Sequence, residues 1–251
     1  MKLFTVPNLM TLGNLLCGCF GIVFVFQGEL TYAAYLIFVA GILDFLDGFV
    51  ARLLKQHSAI GKELDSLADM ATFGVLPAFI VARLISDTMH KDSFLSNFVS
   101  SSLVSQISFH PLSYVAFILA LFSALRLAKF NVDTRQSDSF IGVPTPANAF
   151  VVAAFPLILE FNPNYAFIVH NNVFLIGYSL LMSYLLVSEI PLFALKFKNF
   201  SWVDNKIKYI FIILSVILLV VLQFLGIPLV IFLYIALSLI NNKSAPVPKG
   251  E

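Results

Sequence analysis

The sequence predicts an all-α fold, a polytopic bundle of about eight transmembrane helices with both termini in the cytoplasm. The first supporting observation is composition, since 59% of the 251 residues are hydrophobic and 12% are charged, with a mean hydropathy of +0.93. Soluble domains are nearer one half apolar and one quarter charged. The second is that apolar residues come in blocks of the roughly 20 residues that a helix needs to cross a bilayer. The third is the distribution of positive charge between alternate loops.

Apolar runs broken by charged residues, proline or asparagine define the eight predicted spans. The first four lie near 10–27, 31–50, 66–86 and 110–129, and the other four near 145–161, 172–195, 207–224 and 227–241. The fifth is interrupted early by Asn162, Pro163 and Asn164. We therefore expect one transmembrane domain over residues 1–241, followed by a disordered cytoplasmic tail over 242–251.

Lysine and arginine collect in alternate loops, which indicates an even number of spans. The predicted cytoplasmic side carries Lys2 and four basic groups: Arg52, Lys55 and Lys62; Arg126, Lys129 and Arg135; Lys196, Lys198, Lys206 and Lys208; and Lys243 with Lys249. Only Arg83 and Lys91 fall on the other side. The pattern favours the cell (inner) membrane. A formal net charge of +1 provides no field that gathers nucleic acid, so we expect no nucleic-acid partner.

Four acids lie within 26 residues, at the end of the second span and the start of the third. Asp44 and Asp47 are three apart, and Asp65 and Asp69 are four apart, so each pair shares one helix face. In a helical hairpin closed by residues 53–63, the two pairs would face each other and repel unless a cation lay between them. Hard oxygen ligands suit Mg²⁺ or Mn²⁺, and two such ions can bridge a diphosphate. The spacing therefore predicts a metal site that holds a diphosphate at the cytoplasmic face.

Small and cationic residues follow the acids. Gly48 and Ala51 leave the helix surface without bulk where a ligand could approach, and Arg52 can pair with a phosphate. Two other interpretations of the acids stay open: structural ion pairs with Arg52 and Lys62, or an ion pathway in a small divalent-cation transporter.

The complete string fixes the same positions as a known signature. It runs Asp44-x-x-Asp47-Gly48-x-x-Ala51-Arg52, eight residues, Gly61, three residues, Asp65, three residues and Asp69. It resembles, position for position, the signature of the CDP-alcohol phosphatidyltransferase family. The resemblance implies an integral membrane enzyme that moves a phosphatidyl or related group from a CDP-linked donor to an alcohol and releases CMP. A non-catalytic membrane scaffold would require that this intact motif had lost its function.

The resemblance also implies roles for the residues of the motif, which spans 44–69 of a catalytic domain. Asp44, Asp47 and Asp65 would be metal ligands, and Asp69 would complete the metal site and serve as the general base. The CDP-binding surface would consist of Gly48, Ala51, Arg52 and Gly61. The cofactor would be Mg²⁺ or Mn²⁺, with two ions bound.

A polar stripe precedes the first span, because Asn8, Thr11 and Asn14 recur at helical spacing. We expect Asn8 and Thr11 to contact the donor nucleotide or its diphosphate. The alternative is structural: Asn8 would cap the helix, and Thr11 and Asn14 would form interhelical hydrogen bonds.

A second cationic group follows the fourth span. Arg126 and Lys129 share a helix face, and with Asn131 and Arg135 they are candidates for binding an acceptor carboxylate or a lipid phosphate. The alternative is that Arg126 and Lys129 only orient the chain in the membrane. Glu189, near the end of the sixth span, could neutralise an arginine or a substrate ammonium.

Four stretches together carry a second resemblance: the polar stripe near the N-terminus and the segments 126–131, 142–146 and 187–191. With the count of eight spans, they resemble the integral-membrane phosphatidylserine synthases. This implies CDP-diacylglycerol and L-serine as substrates, phosphatidylserine and CMP as products, membrane lipids as partners, and a homodimer. The same chemistry with glycerol 3-phosphate or inositol phosphate as the acceptor is the nearest alternative.

Overall fold

The computed structural model describes residues 3–56, 58–92, 109–133, 140–193, 199 and 201–244. These residues are almost entirely helical, as predicted. The first half contains α1 (Val6–Gln27), α2 (Leu30–Leu53), α3 (Ala59–Asp69), a π-helical segment (Met70–Val75), α4 (Leu76–Asp92), a 3₁₀ turn (Pro111–Phe117) and α5 (Ile118–Val132). The second half contains α6 (Thr145–Phe161), a 3₁₀ turn (Pro163–Tyr165), α7 (Ala166–Val169), α8 (Asn172–Val187), α9 (Trp202–Leu222), a 3₁₀ turn (Gln223–Leu225) and α10 (Gly226–Ser244).

A short β-ribbon is the only β-structure among these residues. Strand β1 (Phe140–Ile141) pairs antiparallel with β2 (Pro191–Leu192), with Phe140 opposite Leu192. The ribbon joins the segment after α5 to the segment after α8, which are about 50 residues apart in the chain. A two-residue pair carries no hydrophobic periodicity, so the sequence offered no signal for it.

The start of α1 differs from the capping alternative considered above. Thr5 is the N-cap, and its side chain accepts a hydrogen bond from the backbone N–H of Asn8. Asn8 itself lies inside the helix, so the expectation that it caps the helix was wrong. The helix ends at Gly28, whose φ of 83° is a left-handed conformation that glycine adopts without strain.

The helix that begins with α3 and continues through α4 is the central one. In an apolar window of 18 residues within its stretch Ala59–Met89, 72% of the residues are buried, whereas the corresponding windows of α1 and α2 are each 28% buried. The π-helical segment interrupts it directly after Asp69. A π turn adds a residue to the helical turn, and such turns occur frequently at functional sites. The π turn also changes the direction in which the side chains after Asp69 point, relative to a regular α-helix.

Two glycines of α1 let that helix lie close against the central helix. A Cβ atom added at Gly18 would clash with Oγ1 of Thr72, and one added at Gly21 would clash with a methyl carbon of Leu76. Small residues at helix crossings permit this close approach in membranes. As a result, the polar stripe of α1 reaches the start of the π-helical segment.

Five helical stretches in the described part are long and apolar enough to cross a membrane: Val6–Gln27, Leu30–Leu53, Ala59–Met89, Pro111–Val132 and Asn205–Asn241. A sixth results if Thr145–Phe161 and Pro163–Val169, bent by 115°, count as one span. The apolar α8 has 16 residues, which is short for a crossing. These stretches make the chain an integral membrane protein.

The stretch Asn205–Asn241 contains a chain reversal. The rings of Phe211 on α9 and Tyr234 on α10 lie 5.5 Å apart, which a continuous helix of that length does not allow. Gln223, with a φ of 49°, lies at the turn. The predicted seventh and eighth spans coincide with these two antiparallel helices. The total of eight spans and the cytoplasmic position of the termini stay predictions.

The end of the chain was predicted to be a disordered tail over 242–251. Helix α10 continues to Ser244 and therefore includes the first residues of that segment. Residues 245–251 lie outside the described residues.

Candidate active site

The four aspartates of the motif come together near the ends of α2 and α3. One carboxylate oxygen each of Asp44, Asp47 and Asp65 lies within 4.8 Å of the others. Asp69, one turn further along α3 than Asp65, is in side-chain contact with Asp44. The prediction that the two pairs of aspartates face each other therefore agrees with the structure.

The predicted direct hairpin of the second and third spans differs from the observed packing. Helix α3 packs mainly against α1, and α1 packs along α2. The first helix therefore lies behind both pairs of aspartates, and the carboxylates meet across an open space between α2 and α3. Ser58 is the N-cap of α3, because its hydroxyl accepts a hydrogen bond of 3.0 Å from the backbone N–H of Gly61.

No basic side chain in the described part neutralises these carboxylates through a salt bridge. The salt bridges found there join Arg83 to Asp87 and Lys129 to Glu189. Arg52 is exposed, and Lys62 donates a hydrogen bond of 3.0 Å to the backbone carbonyl of Asn131. Structural ion pairing of the cluster with Arg52 and Lys62, one of the alternatives above, is therefore wrong for this structure.

The donor set fits a hard divalent cation. Three carboxylates converge without a positive partner, and Oδ1 of Asp65 is buried without a hydrogen-bond partner among the described residues. Repulsion of this kind is relieved when a cation binds between the oxygens. All of the converging ligands are oxygens, which Mg²⁺ and Mn²⁺ prefer.

The polar stripe of α1 orients two of the aspartates. The hydroxyl of Thr11 donates a hydrogen bond of 2.5 Å to Oδ2 of Asp47. The side-chain amide of Asn14 donates one of 3.0 Å to Oδ1 of Asp69. Both bonds are interhelical, as the structural alternative expected, but their partners are the carboxylates of the site. Such bonds fix the orientation of a ligand or base.

A cavity of about 560 Å³ opens beside the carboxylates. This is within the range of about 300–1,000 Å³ that is typical of small-molecule sites. Seven of its lining residues were predicted as metal or nucleotide ligands: Asn8, Thr11, Asp47, Gly48, Ala51, Gly61 and Asp65. The cavity therefore joins two of the proposed metal ligands, Asp47 and Asp65, to the proposed nucleotide surface, whereas Asp44 and Asp69 are not among its lining residues.

Two glycines shape the cavity wall in different ways. A Cβ atom added at Gly48 would meet no atom within 4 Å, so Gly48 faces open space. A Cβ added at Gly61 would lie 3.1 Å from the hydroxyl oxygen of Ser58 and 3.2 Å from Oδ1 of Asn8. Gly61 therefore allows α1 and the start of α3 to approach, whereas Gly48 leaves room for a ligand.

The sequence reasoning missed several residues of the cavity, and it placed Arg52 there. Gln56, Ser58 and Lys62 line the cavity, and Arg52 is not among its lining residues. These three residues occupy positions that the motif leaves unspecified. Only their closeness in the chain to Gly61 indicated that they could line the cavity.

The four candidates for acceptor binding have different surroundings. Arg126 has an exposed fraction of 6%, and its Nε has no hydrogen-bond partner in the described part. Its guanidinium carbon lies 4.8 Å from the centre of the Phe130 ring, and the negative charge of Asp69 acts on it. Arg126 therefore lies buried on the side of the site where Asp69 is.

The other candidates contact the protein or lie outside the described residues. Lys129 forms a salt bridge of 2.5 Å with Glu189, so Glu189 neutralises Lys129. The side-chain amide of Asn131 donates to the hydroxyl of Ser66 at 2.8 Å and thereby connects α5 to α3. Arg135 lies outside the described residues.

Comparison with known proteins agrees with this geometry. Residues 4–185 match the CDP-alcohol phosphatidyltransferase family. A Helicobacter pylori protein named CDP-diacylglycerol--serine O-phosphatidyltransferase is 32% identical, and the alignment covers 97% of this chain and 98% of that protein. A Bacillus subtilis protein with the same name is 31% identical over 78% of this chain and 91% of its own length.

A third relative with this name comes from Methanocaldococcus jannaschii and is 33% identical over 61% of each chain. The family match includes all four aspartates, the stripe of α1 and Arg126. The chain therefore belongs to the CDP-alcohol phosphatidyltransferase family and is a membrane transferase of phospholipid biosynthesis.

Proposed function

We propose that the chain transfers the phosphatidyl group of CDP-diacylglycerol to the hydroxyl of L-serine, giving phosphatidylserine and CMP by metal-assisted direct displacement. The observation that carries this proposal is the meeting of Asp44, Asp47 and Asp65 beside a cavity of nucleotide size. The serine acceptor is supported by the shared name of relatives that align with most of the chain.

The donor is proposed to bind with its CDP head in the cavity and its acyl chains in the surrounding lipid. Gly48 and Ala51 leave space for the head group, and Thr11 and Lys62 lie along the wall. Arg52 follows Ala51 and is exposed. A long, flexible cation at this position can reach a phosphate at the cavity mouth.

The four aspartates are proposed to hold two ions of Mg²⁺ or Mn²⁺. Bound there, the ions would neutralise the diphosphate and stabilise the charge that develops on the phosphate of the departing CMP. The chain's own contribution is to fix the carboxylates in place, through Thr11 on Asp47 and Asn14 on Asp69.

Asp69 is proposed to be the general base. The Asn14 amide occupies Oδ1, so Oδ2 is the oxygen through which Asp69 takes the proton of the serine hydroxyl. The serine oxygen then forms a bond to the phosphorus that carries diacylglycerol, and the bond from that phosphorus to the CMP oxygen breaks. Arg126, buried near Asp69, binds the serine carboxylate. No covalent intermediate with the enzyme is required.

The active site is proposed to face the cytoplasm from the cell (inner) membrane. The basic loop residues Arg52, Lys55 and Lys62 adjoin the cluster, and basic loops are typical of the cytoplasmic side. A CDP-linked donor is made from CTP, which is a cytoplasmic nucleotide. The homodimer implied by the family resemblance stays a prediction.

The function is tested by measuring CMP release from CDP-diacylglycerol by the detergent-purified protein with Mg²⁺ or Mn²⁺. L-serine is compared with glycerol 3-phosphate, inositol phosphate and no acceptor, and lipid products are identified by mass spectrometry. Serine-dependent CMP release with phosphatidylserine is expected. CMP release with another alcohol alone would overturn the serine acceptor. If no acceptor supports CMP release and the protein carries metal ions into liposomes without CDP-lipid, a transporter would be favoured.

A further inference from the structure

We infer that Ser123 on α5 and Ser183 on α8 bind the ammonium group of the acceptor, while Arg126 binds its carboxylate. This rests on the proposed function, because it assigns the pocket for the amino-acid acceptor of that reaction. Neither serine belongs to the aspartate motif or to the cationic group after it. The two hydroxyl oxygens would accept hydrogen bonds from the ammonium of L-serine.

The first observation is that both hydroxyls are fully enclosed and unpaired. Ser123 and Ser183 have exposed fractions of 0% and 1%, and neither Oγ has a hydrogen-bond partner among the described residues. Buried polar groups are nearly always paired, because an unpaired one loses its hydration without compensation. Two such hydroxyls near a buried arginine whose Nε has no hydrogen-bond partner among the described residues indicate a polar ligand.

Ser179 provides an internal comparison. It lies one turn before Ser183 on α8, is equally buried, and donates a hydrogen bond of 2.8 Å to the carbonyl of Leu175. A buried serine in a helix can pair in this way with the carbonyl four residues earlier. Ser183 does not, so its buried hydroxyl lacks this partner.

The register of α5 and α8 places these groups at similar depths. The two helices pack against each other and run in the same direction, with Nζ of Lys129 3.4 Å from the carbonyl oxygen of Val187 near their C-terminal ends. A helix rises 1.5 Å per residue. Along α5, Arg126 lies about 4.5 Å and Ser123 about 9 Å before Lys129, and along α8, Ser183 lies about 6 Å before Val187. Ser183 therefore lies within roughly one to two helical turns of the level of the two polar residues of α5.

The same region adjoins the proposed base. A Cβ atom added at Gly74, in the π-helical segment, would lie 3.1 Å from Cβ of Ser123. That segment starts directly after Asp69, whose charge acts on Arg126. A carboxylate, an ammonium and a nucleophilic hydroxyl are the three polar groups of L-serine. Arg126, the two serine hydroxyls and Asp69 supply one partner for each.

The test compares Ser123→Ala, Ser183→Ala and the double variant with Ser179→Ala as the matched control. We expect the KM for L-serine to rise about tenfold in each single variant, because a hydrogen bond to a charged group is lost. The KM for CDP-diacylglycerol should stay unchanged. Thermal stability should not fall, since replacing an unpaired buried hydroxyl removes no bond of the free protein. Ser179→Ala should show the opposite pattern, with lower thermal stability and an unchanged KM for L-serine.

A second measurement uses 3-hydroxypropionate, which has the hydroxyl and carboxylate of serine but no ammonium. The preference for L-serine over this analogue, as a ratio of kcat/KM, should be large in the wild type and reduced in the double variant. An unchanged serine KM and an unchanged preference in a serine-active enzyme would overturn this inference and leave the proposed function intact. A folded wild type without serine-dependent CMP release would overturn both.

Discussion

Asn14 and Asp69 are joined by a hydrogen bond of 3.0 Å from the side-chain amide to Oδ1 of the carboxylate. The backbone carbonyl of the same asparagine accepts a hydrogen bond of 3.0 Å from Thr72 in the π-helical segment. The proposed base is therefore held by α1, which is itself tied to the turn that follows Asp69. This arrangement occupies Oδ1 of Asp69 with the Asn14 amide.

Loss of this hydrogen bond should slow the chemical step. In Asn14→Ala, we expect kcat to fall by roughly 10- to 100-fold, as is typical when a group that orients a ligand or base is removed. The KM for CDP-diacylglycerol should change little, because Asn14 does not line the cavity. Steady-state kinetics with both substrates measure the two constants. Wild-type kcat in this variant would show that the bond does not orient Asp69 for catalysis.

Replacement of the proposed base should separate chemistry from binding. In Asp69→Asn, we expect turnover to be abolished while CDP-diacylglycerol still binds, because a base is needed more for the reaction than for affinity. Donor binding and CMP release are measured on the same preparation. Asp87→Asn is the control, since Asp87 pairs with Arg83 at the other end of the same central helix. Near-normal activity in Asp69→Asn would remove Asp69 from the mechanism.

The hydrogen bond from Thr11 to Asp47 should determine how tightly the divalent ion is held. In Thr11→Val, we expect the Mg²⁺ concentration for half-maximal rate to rise by about tenfold, because Asp47 loses the donor that orients it. Thr11→Ser retains the hydroxyl and should behave like the wild type. The rise in melting temperature on adding Mg²⁺ gives a second readout that does not depend on turnover. Equal Mg²⁺ requirements in the two variants would contradict this role.

Bulk at Gly48 should block the donor without disturbing the fold. Added Cβ atoms at Gly48 and at Gly177 both meet nothing within 4 Å, but Gly48 lines the cavity and Gly177 is exposed on α8. In Gly48→Leu, we expect the KM for CDP-diacylglycerol to rise by about tenfold or more. Gly177→Leu is the matched control and should keep the wild-type KM. Equal KM values in the two variants would place the CDP head outside the cavity.

The pairing of the aspartates was predictable, because helical spacing determines which of them share a helix face. Asp44 with Asp47 and Asp65 with Asp69 share faces at three and four residues, whatever surrounds them. The long apolar runs predicted most of the helices for the same reason, since length and hydropathy are local properties. The reversal near Gln223 also coincides with the predicted gap between the last two spans.

Three features were not predictable from the sequence: the capping residue of α1, the pairing of Lys129 with Glu189, and the π-helical segment. Thr5 and Asn8 are both good capping residues, and only the observed start of α1 shows that Thr5 is the cap. The sequence did not indicate that Lys129 pairs with Glu189, which is 60 residues away in the chain. The π-helical segment has no hydrophobic periodicity of its own, so nothing in Met70–Val75 distinguishes it from a regular helix.

The most direct test of the proposed reaction uses a phosphorothioate analogue of CDP-diacylglycerol. In this donor, sulfur replaces one non-bridging oxygen on the phosphorus that carries diacylglycerol, and the configuration at that phosphorus is known. The purified protein is given this donor with L-serine and a divalent ion, and the configuration of the lipid product is determined. A single attack by the serine hydroxyl predicts phosphatidylserine with inverted configuration at phosphorus. Retention of configuration would require two successive displacements through a covalent intermediate and would contradict the direct transfer from CMP to serine.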